Sequence, residues 1–156
     1  MQRSAHRLEA ARAWAVGAHA LDDLPSDRIF VEMLTACRAS GGMGRLDTIV
    51  RVPVRQGEEA VPTVLQQIAG GAVFSFEWQQ VFWVPMFQFA GPDLAPKPAV
   101  RQVLGELAEV FDGWSLATWF CLPNCWLKDE RPIDLLDTRL AFVLAAARVD
   151  RFIASG

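Results

Sequence analysis

Apolar residues recur along this chain at two periods, and the switches between them mark out its elements. Leu8, Trp14, Val16 and Leu21, set among alanines, predict a helix from Arg3 to about Leu21 with Arg3, Arg7, Glu9 and Arg12 on its wet side. After a break at Pro25, Ile29, Met33, Ala36 and Cys37 fall at helical spacing, predicting a helix over 28–39 that Ser40-Gly41-Gly42 stops. A short helix-like run follows over 45–52, ended by Pro53. A further helix is predicted over 60–69, with Pro62 in its first turn, Val61, Val64, Leu65 and Ile68 inward, and Gly70-Gly71 as its stop. The period then changes. Val73 to Trp78 and Val81 to Pro85 read as two short aromatic strands around a Gln79-Gln80 turn, a hairpin over 73–85 that needs helices to lie on.

Helical spacing returns after a Pro-rich loop over 90–98. Val100, Val103, Leu104, Leu107, Val110 and Phe111 give the helix over 99–111 one inward face, with Arg101, Gln102, Glu106 and Glu109 outside. Asp112 is placed to cap the next helix, which is apolar almost all round and is interrupted at Leu122-Pro123-Asn124. Pro132 is a good first residue for the helix that follows. The last helix, predicted from about Thr138 to Phe152 with Asp137 or Thr138 as its cap, carries two apolar stripes. One runs through Leu140, Val143, Leu144 and Ala147, the other through Phe142, Ala145, Val149, Phe152 and Ile153, with Arg148, Asp150 and Arg151 as the polar edge. Two stripes call for two packing partners: the core and a second subunit, or a core that encloses the helix.

The fold class this implies is mainly α: a compact helical unit with one short antiparallel hairpin over about 71–156, preceded by a helical region over 1–70. Helix, glycine turn and helix within that first region trace the outline of a degenerate helix-turn-helix, in which Arg45, Arg51 and Arg55 would face DNA. An ordinary helical hairpin has the same outline, and eight arginines balance eight acids across residues 1–60.

Composition narrows the functional classes. The 156 residues are 52% hydrophobic with six tryptophans, enough apolar surface for a core without disulfide or metal. A formal net charge of -3 at pH 7 argues against a protein that chiefly wraps nucleic acid. No apolar run has the length of a membrane span, and the arginine-dotted N-terminus lacks a signal-type core, so a soluble cytoplasmic protein is expected. Cys37, Cys121 and Cys125, with His6 and His19, lack the spacing of a zinc site and are expected to be reduced thiols. No nucleophile elbow, phosphate loop or dinucleotide fingerprint is present. Glu77, the one carboxylate in the hairpin, has no second positioned group beside it and reads as a residue that faces solvent or pairs with an arginine. The expectation is a protein with no catalytic residues, no metal and no cofactor.

The most distinctive stretch is WSLATWFCLPNCWL followed by RPIDLL. It resembles the C-terminal toxin-binding domain of the MbcA/ParS/Xre antitoxin family, whose pattern runs W-x-x-A-x-W-x-x-x-P-N-x-x-L and then R-P-x-D-L-L. Trp114, Ala117, Trp119, Pro123, Asn124, Leu127, Arg131, Pro132, Asp134, Leu135 and Leu136 fill it, and the upstream Pro85-Met86-Phe87-Gln88-Phe89 fits the family's P-x-F-Q-F. The resemblance implies a bacterial antitoxin that binds a cognate toxin of the NAD-consuming RES type and covers its active site, with the last helix and Ser155-Gly156 as the covering parts. It also implies autorepression through operator DNA and a homodimer. Two other classes fit the same residues: a DNA-binding regulator without a toxin, and a dimerising adaptor. Of the pattern residues, the apolar ones are what a corner needs to fold, whereas Asn124, Arg131 and Asp134 would form either a buried hydrogen-bonded bracket or a toxin contact.

Overall fold

The structure, a computed structural model, describes residues 26–51 and 63–156. The helix expected over 3–21, Arg55 and the first residues of the helix expected over 60–69 lie outside those described.

Helix α1 spans Ser26–Cys37 and buries Ile29, Phe30, Met33, Ala36 and Cys37, one face of a 3.6-residue repeat. A 3-10 turn, Arg38–Ser40, follows; Gly41 and Gly42 both take left-handed φ (101° and 75°), which reverses the chain. Here the structure departs from the short helix expected over 45–52. Met43–Arg45 is a strand, β1, and only the single turn Leu46–Ile49, α2, is helical. The reason is tertiary. β1 pairs with an aromatic strand further along the chain, and that ladder satisfies backbone groups a helix would have left without partners.

Thr63 opens α3, Val64–Ala69, with a complete capping box: its hydroxyl accepts from the Gln66 N–H while the Gln66 side chain accepts from the Thr63 N–H. Val64 is inside as expected, but Leu65 is 53% exposed and Gln67 is buried in its place. Gln67 donates to the Leu94 carbonyl, so a hydrogen bond to a distant loop, invisible to periodicity, sets the helix rotation.

The aromatic segment forms β2, Phe76–Trp78, and β3, Val81–Pro85, paired antiparallel with Phe76 opposite Trp83. Gln79 and Gln80 both take positive φ (49° and 61°), the backbone of a turn that follows the right-handed twist of the strands. β3 is central, in the order β1-β3-β2. One face of this sheet meets the main core through Phe76, Trp78 and Trp83; the other, through Val84, meets a smaller cluster of Ile49, Val64, Val73 and Phe89. After the 3-10 turn Met86–Gln88, the stretch expected as a plain loop closes a two-residue ladder between β4, Phe89–Ala90, and β5, Ala95–Pro96.

Helix α4, Pro98–Leu107, buries Val100, Val103, Leu104 and Leu107, and α5, Gly113–Cys121, begins at Asp112, whose carboxylate accepts from the Ser115 N–H at 2.8 Å. A Cβ at Gly113 would run into the Ser75 carbonyl, so α5 meets the sheet backbone only because this residue has no side chain. A 3-10 turn, Cys125–Leu127, and α6, Pro132–Leu135, lead to α7, Leu140–Ser155. α7 starts later than expected and without either expected cap. Arg139 precedes it with no side-chain cap bond, and the Asp137 carboxylate is engaged by Lys97 instead. α7 lies along α4, and α1 packs on α5, so residues of α1 share one core with α4 to α7.

Candidate functional site

The corner between α5 and α7 is built around one buried carboxylate. Val143, Ala147 and Asp150 lie on the same side of α7, four and three residues apart, and all three are buried. Asp150 therefore points inward, at 3% exposure, and is not part of the polar edge expected for it. Its Oδ2 accepts from Trp119 Nε1 at 2.7 Å and from Asn124 Nδ2 at 3.1 Å, while Oδ1 accepts from Trp126 Nε1 at 2.9 Å. Burial pushes the Asp150 carboxyl above the usual aspartate range; the three N–H donors pull the other way and do not overcome it.

Asn124 completes the bracket. Its Oδ1 accepts from the Trp126 N–H, its own N–H donates to the Glu130 carbonyl, and its carbonyl accepts from the N–H groups of Leu127 and Asp129. Lys128 and Asp129 hold left-handed φ (56° and 64°) so that the chain can close this loop. Of the two roles open to Asn124, the geometry is that of the bracket.

The other pattern residues are placed around this hub. Trp119 is buried against Phe120, edge to face at 5.2 Å, and Trp114 packs edge-on against Phe76. Leu127, Pro132 and Leu135 are buried, with Pro132 the first residue of α6, and Pro123 is exposed at the break. Arg131 and Asp134 are at the surface as a two-bonded pair, Nε–Oδ2 2.7 Å and Nη2–Oδ1 3.2 Å, and the bonds to Asp134 push the Arg131 guanidinium further up from its already high range. The upstream signature is also structural. Gln88 is fully buried, and its neighbours Phe87 and Phe89 are buried too; its Oε1 accepts from the Phe74 N–H, and its Nε2 donates to the carbonyls of Phe74 and Pro85.

Arg45 and Arg51 are both exposed, Arg45 in β1 and Arg51 just past α2, and Arg45 is spent on Asp47 through bonds of 3.3 and 3.1 Å. Glu77 is exposed opposite Phe82. Cys37 and Cys121 face each other in the core with sulfurs 3.6 Å apart, and the Cys37 contact together with burial pushes the Cys121 thiol up. No cluster of three or more metal-binding side chains occurs among the described residues, and none of their helices is long and apolar enough to cross a membrane.

Asp150 as the hub, the hydrogen bonds of Gln88 and the Cys37–Cys121 contact were not foreseen from the sequence. Asp150 carried a usable signal: an acid seven residues after Val143 and three after Ala147 must share their face, and the corner opposite holds three tryptophans. Next to the hub, an open pocket is lined by Trp126, Leu127, Leu135 and Phe142, with Lys128, Glu130 and Arg139 at its rim. The outer side of α7 leaves Phe142 66% and Phe152 78% exposed. Comparison with protein-family models, curated proteins and solved structures finds no match to this chain.

Proposed function

We propose that this protein is an antitoxin-like binder that neutralises a cognate protein toxin of the NAD-consuming RES type by covering its active site. One observation carries the reading: Trp119, Asn124 and Trp126 of the toxin-binding segment converge on Asp150 and so fix the C-terminal helix in place. The buried polar groups of the corner are committed to one another, so what the unit offers a partner is a held shape, ending in the exposed residues Ala154, Ser155 and Gly156. On this reading residues 71–156 carry the toxin-binding surface, α1 and β1 complete the same core, and the protein acts in the bacterial cytoplasm without chemistry of its own. Operator binding through Arg45, Arg51 and Arg55 has less behind it, because α2 is one turn long and Arg45 is neutralised by Asp47.

The test is a tagged pull-down from the native host, with the copurifying protein then expressed alone and together with this chain. A stoichiometric partner that arrests growth unless this protein is present is the expected result. Clean preparations across growth conditions, or a partner whose expression is harmless, would overturn the proposal.

A further inference from the structure

We infer that Cys37 and Cys121 form a redox-active dithiol, which a small hydroperoxide oxidises to a reversible disulfide joining the end of α1 to the end of α5. A buried free cysteine is ordinarily an inert, small apolar residue. These two are set apart by where they meet. They lie 84 positions apart in the chain and on different helices, yet their sulfurs are 3.6 Å apart, at exposures of 0% and 1%. One S–H donates to the other sulfur, so the two thiols already face each other.

Each is also the last residue of its helix. Beyond Cys37 come the 3-10 turn and the two left-handed glycines; beyond Cys121 the backbone is extended at Leu122, ahead of Pro123. A disulfide sets its sulfurs at about 2.05 Å, about 1.5 Å closer than these stand. That approach falls on side-chain torsions and on helix ends, and neither helix has to bend in its middle. Arg38 and Ala39, next to Cys37, are exposed, so opening the single turn beyond α1 brings solvent to that sulfur. Depth selects the oxidant. A bulky disulfide such as oxidised glutathione does not fit beside sulfurs packed this closely, whereas hydrogen peroxide is little larger than water.

The pair divides the two roles of the reaction. The contact with Cys121 pulls the Cys37 thiol below the ordinary cysteine range, against burial and with help from the Arg131 charge, while Cys121 is pushed up. Cys37 is therefore the nucleophile and Cys121 the resolving thiol. The Cys37 sulfur attacks one oxygen of hydrogen peroxide; the O–O bond breaks, and the other oxygen leaves as water with the Cys37 proton. Cys37 is then a sulfenic acid. The Cys121 sulfur attacks the Cys37 sulfur, the S–O bond breaks, and hydroxide leaves with the Cys121 proton as a second water. Two thiols have lost two electrons and two hydrogens, and one peroxide has become two waters. A dithiol reductant reverses the bond by exchange. While it lasts, the cross-link closes a long loop and restricts the unfolded chain, so the oxidised form is the more stable one. Transient bonds of this kind are the use that reducing compartments make of disulfides.

The inference stands apart from the toxin reading and is tested on the full, reduced chain with hydrogen peroxide in native buffer. Free thiols, counted after denaturation, should fall from three to one, and peptide mapping should find the single cross-link Cys37–Cys121. A dithiol reductant should restore all three, and the oxidised protein should melt at a higher temperature than the reduced one. Cys125→Ala removes the remaining thiol without touching the pair, and its count should fall from two to none. Three thiols that persist at a peroxide dose able to oxidise the urea-unfolded chain would overturn the inference. So would a cross-link that includes Cys125, or oxygen added to Cys37 or Cys121 without a bond between them. An oxidation rate that climbs in proportion to the unfolded fraction in mild urea, or an oxidised form that melts below the reduced one, would show that the bond belongs to the unfolded chain and not to this fold.

Discussion

Asp150 is an ionisable group surrounded by donors, and its removal would leave the N–H groups of two tryptophans and one asparagine without their acceptor. Each unsatisfied buried donor costs about 1–3 kcal/mol, so Asp150→Ala should lower unfolding free energy by about 3 kcal/mol or more in urea titrations. The pH dependence has a definite sign. Burial raises the folded pKa above the unfolded value, so this site's contribution to stability is complete below the ordinary aspartate range and is lost as pH rises through the folded value. Wild type should therefore gain melting temperature relative to Asp150→Asn as pH falls through the raised value; a constant difference would refute the shift. Asn124→Ala, which also opens the bracket, should cost about 2 kcal/mol. Asp134→Ala breaks only a surface pair and should stay within about 0.5 kcal/mol of wild type. If the proposed toxin is found, a stable Asp134→Ala protein that no longer holds it would make that carboxylate a contact.

Among the elements, helices whose residues make their own case were legible. α1, α4 and α5 follow from apolar spacing, from the Gly41-Gly42 stop and from the Asp112 cap, and the Gln79-Gln80 turn falls between the two aromatic strands. What was not legible depends on partners far along the chain: β1 exists because β3 has an edge to cover, and Gln67 turns inward because Leu94 presents a carbonyl. Gly113 belongs to the same class. Nothing local requires glycine there, yet a methyl group would overlap the Ser75 carbonyl and crowd the Phe76 Cα. Gly113→Ala should therefore destabilise the protein by about 2–3 kcal/mol, although alanine is the better helix former. Chemical denaturation decides the matter, because an unchanged or higher midpoint would mean that α5 can move off the sheet at no cost.

At the scale of the molecule, α1 and the aromatic corner are far apart in sequence and adjacent in space. Met33 is fully buried, its sulfur 4.0 Å from the Thr118 hydroxyl, and Cys37 at the end of α1 meets Cys121 at the end of α5. The candidate site was legible as a set of pattern residues, but its centre was not, because the carboxylate that gathers them comes from α7 and the packing behind them from α1. If these segments share one core energetically, a cavity made in α1 must be felt at the corner. Met33→Ala should cost about 2–5 kcal/mol, and tryptophan fluorescence, dominated by rings in the hairpin and corner, should shift to the same lower denaturant midpoint as far-UV circular dichroism. One transition by both probes is what a single cooperative core gives. If α1 were an appended element, dichroism would show an early partial loss of helix while the fluorescence midpoint stayed at its wild-type position, and the shared core would then be a matter of contact without coupling.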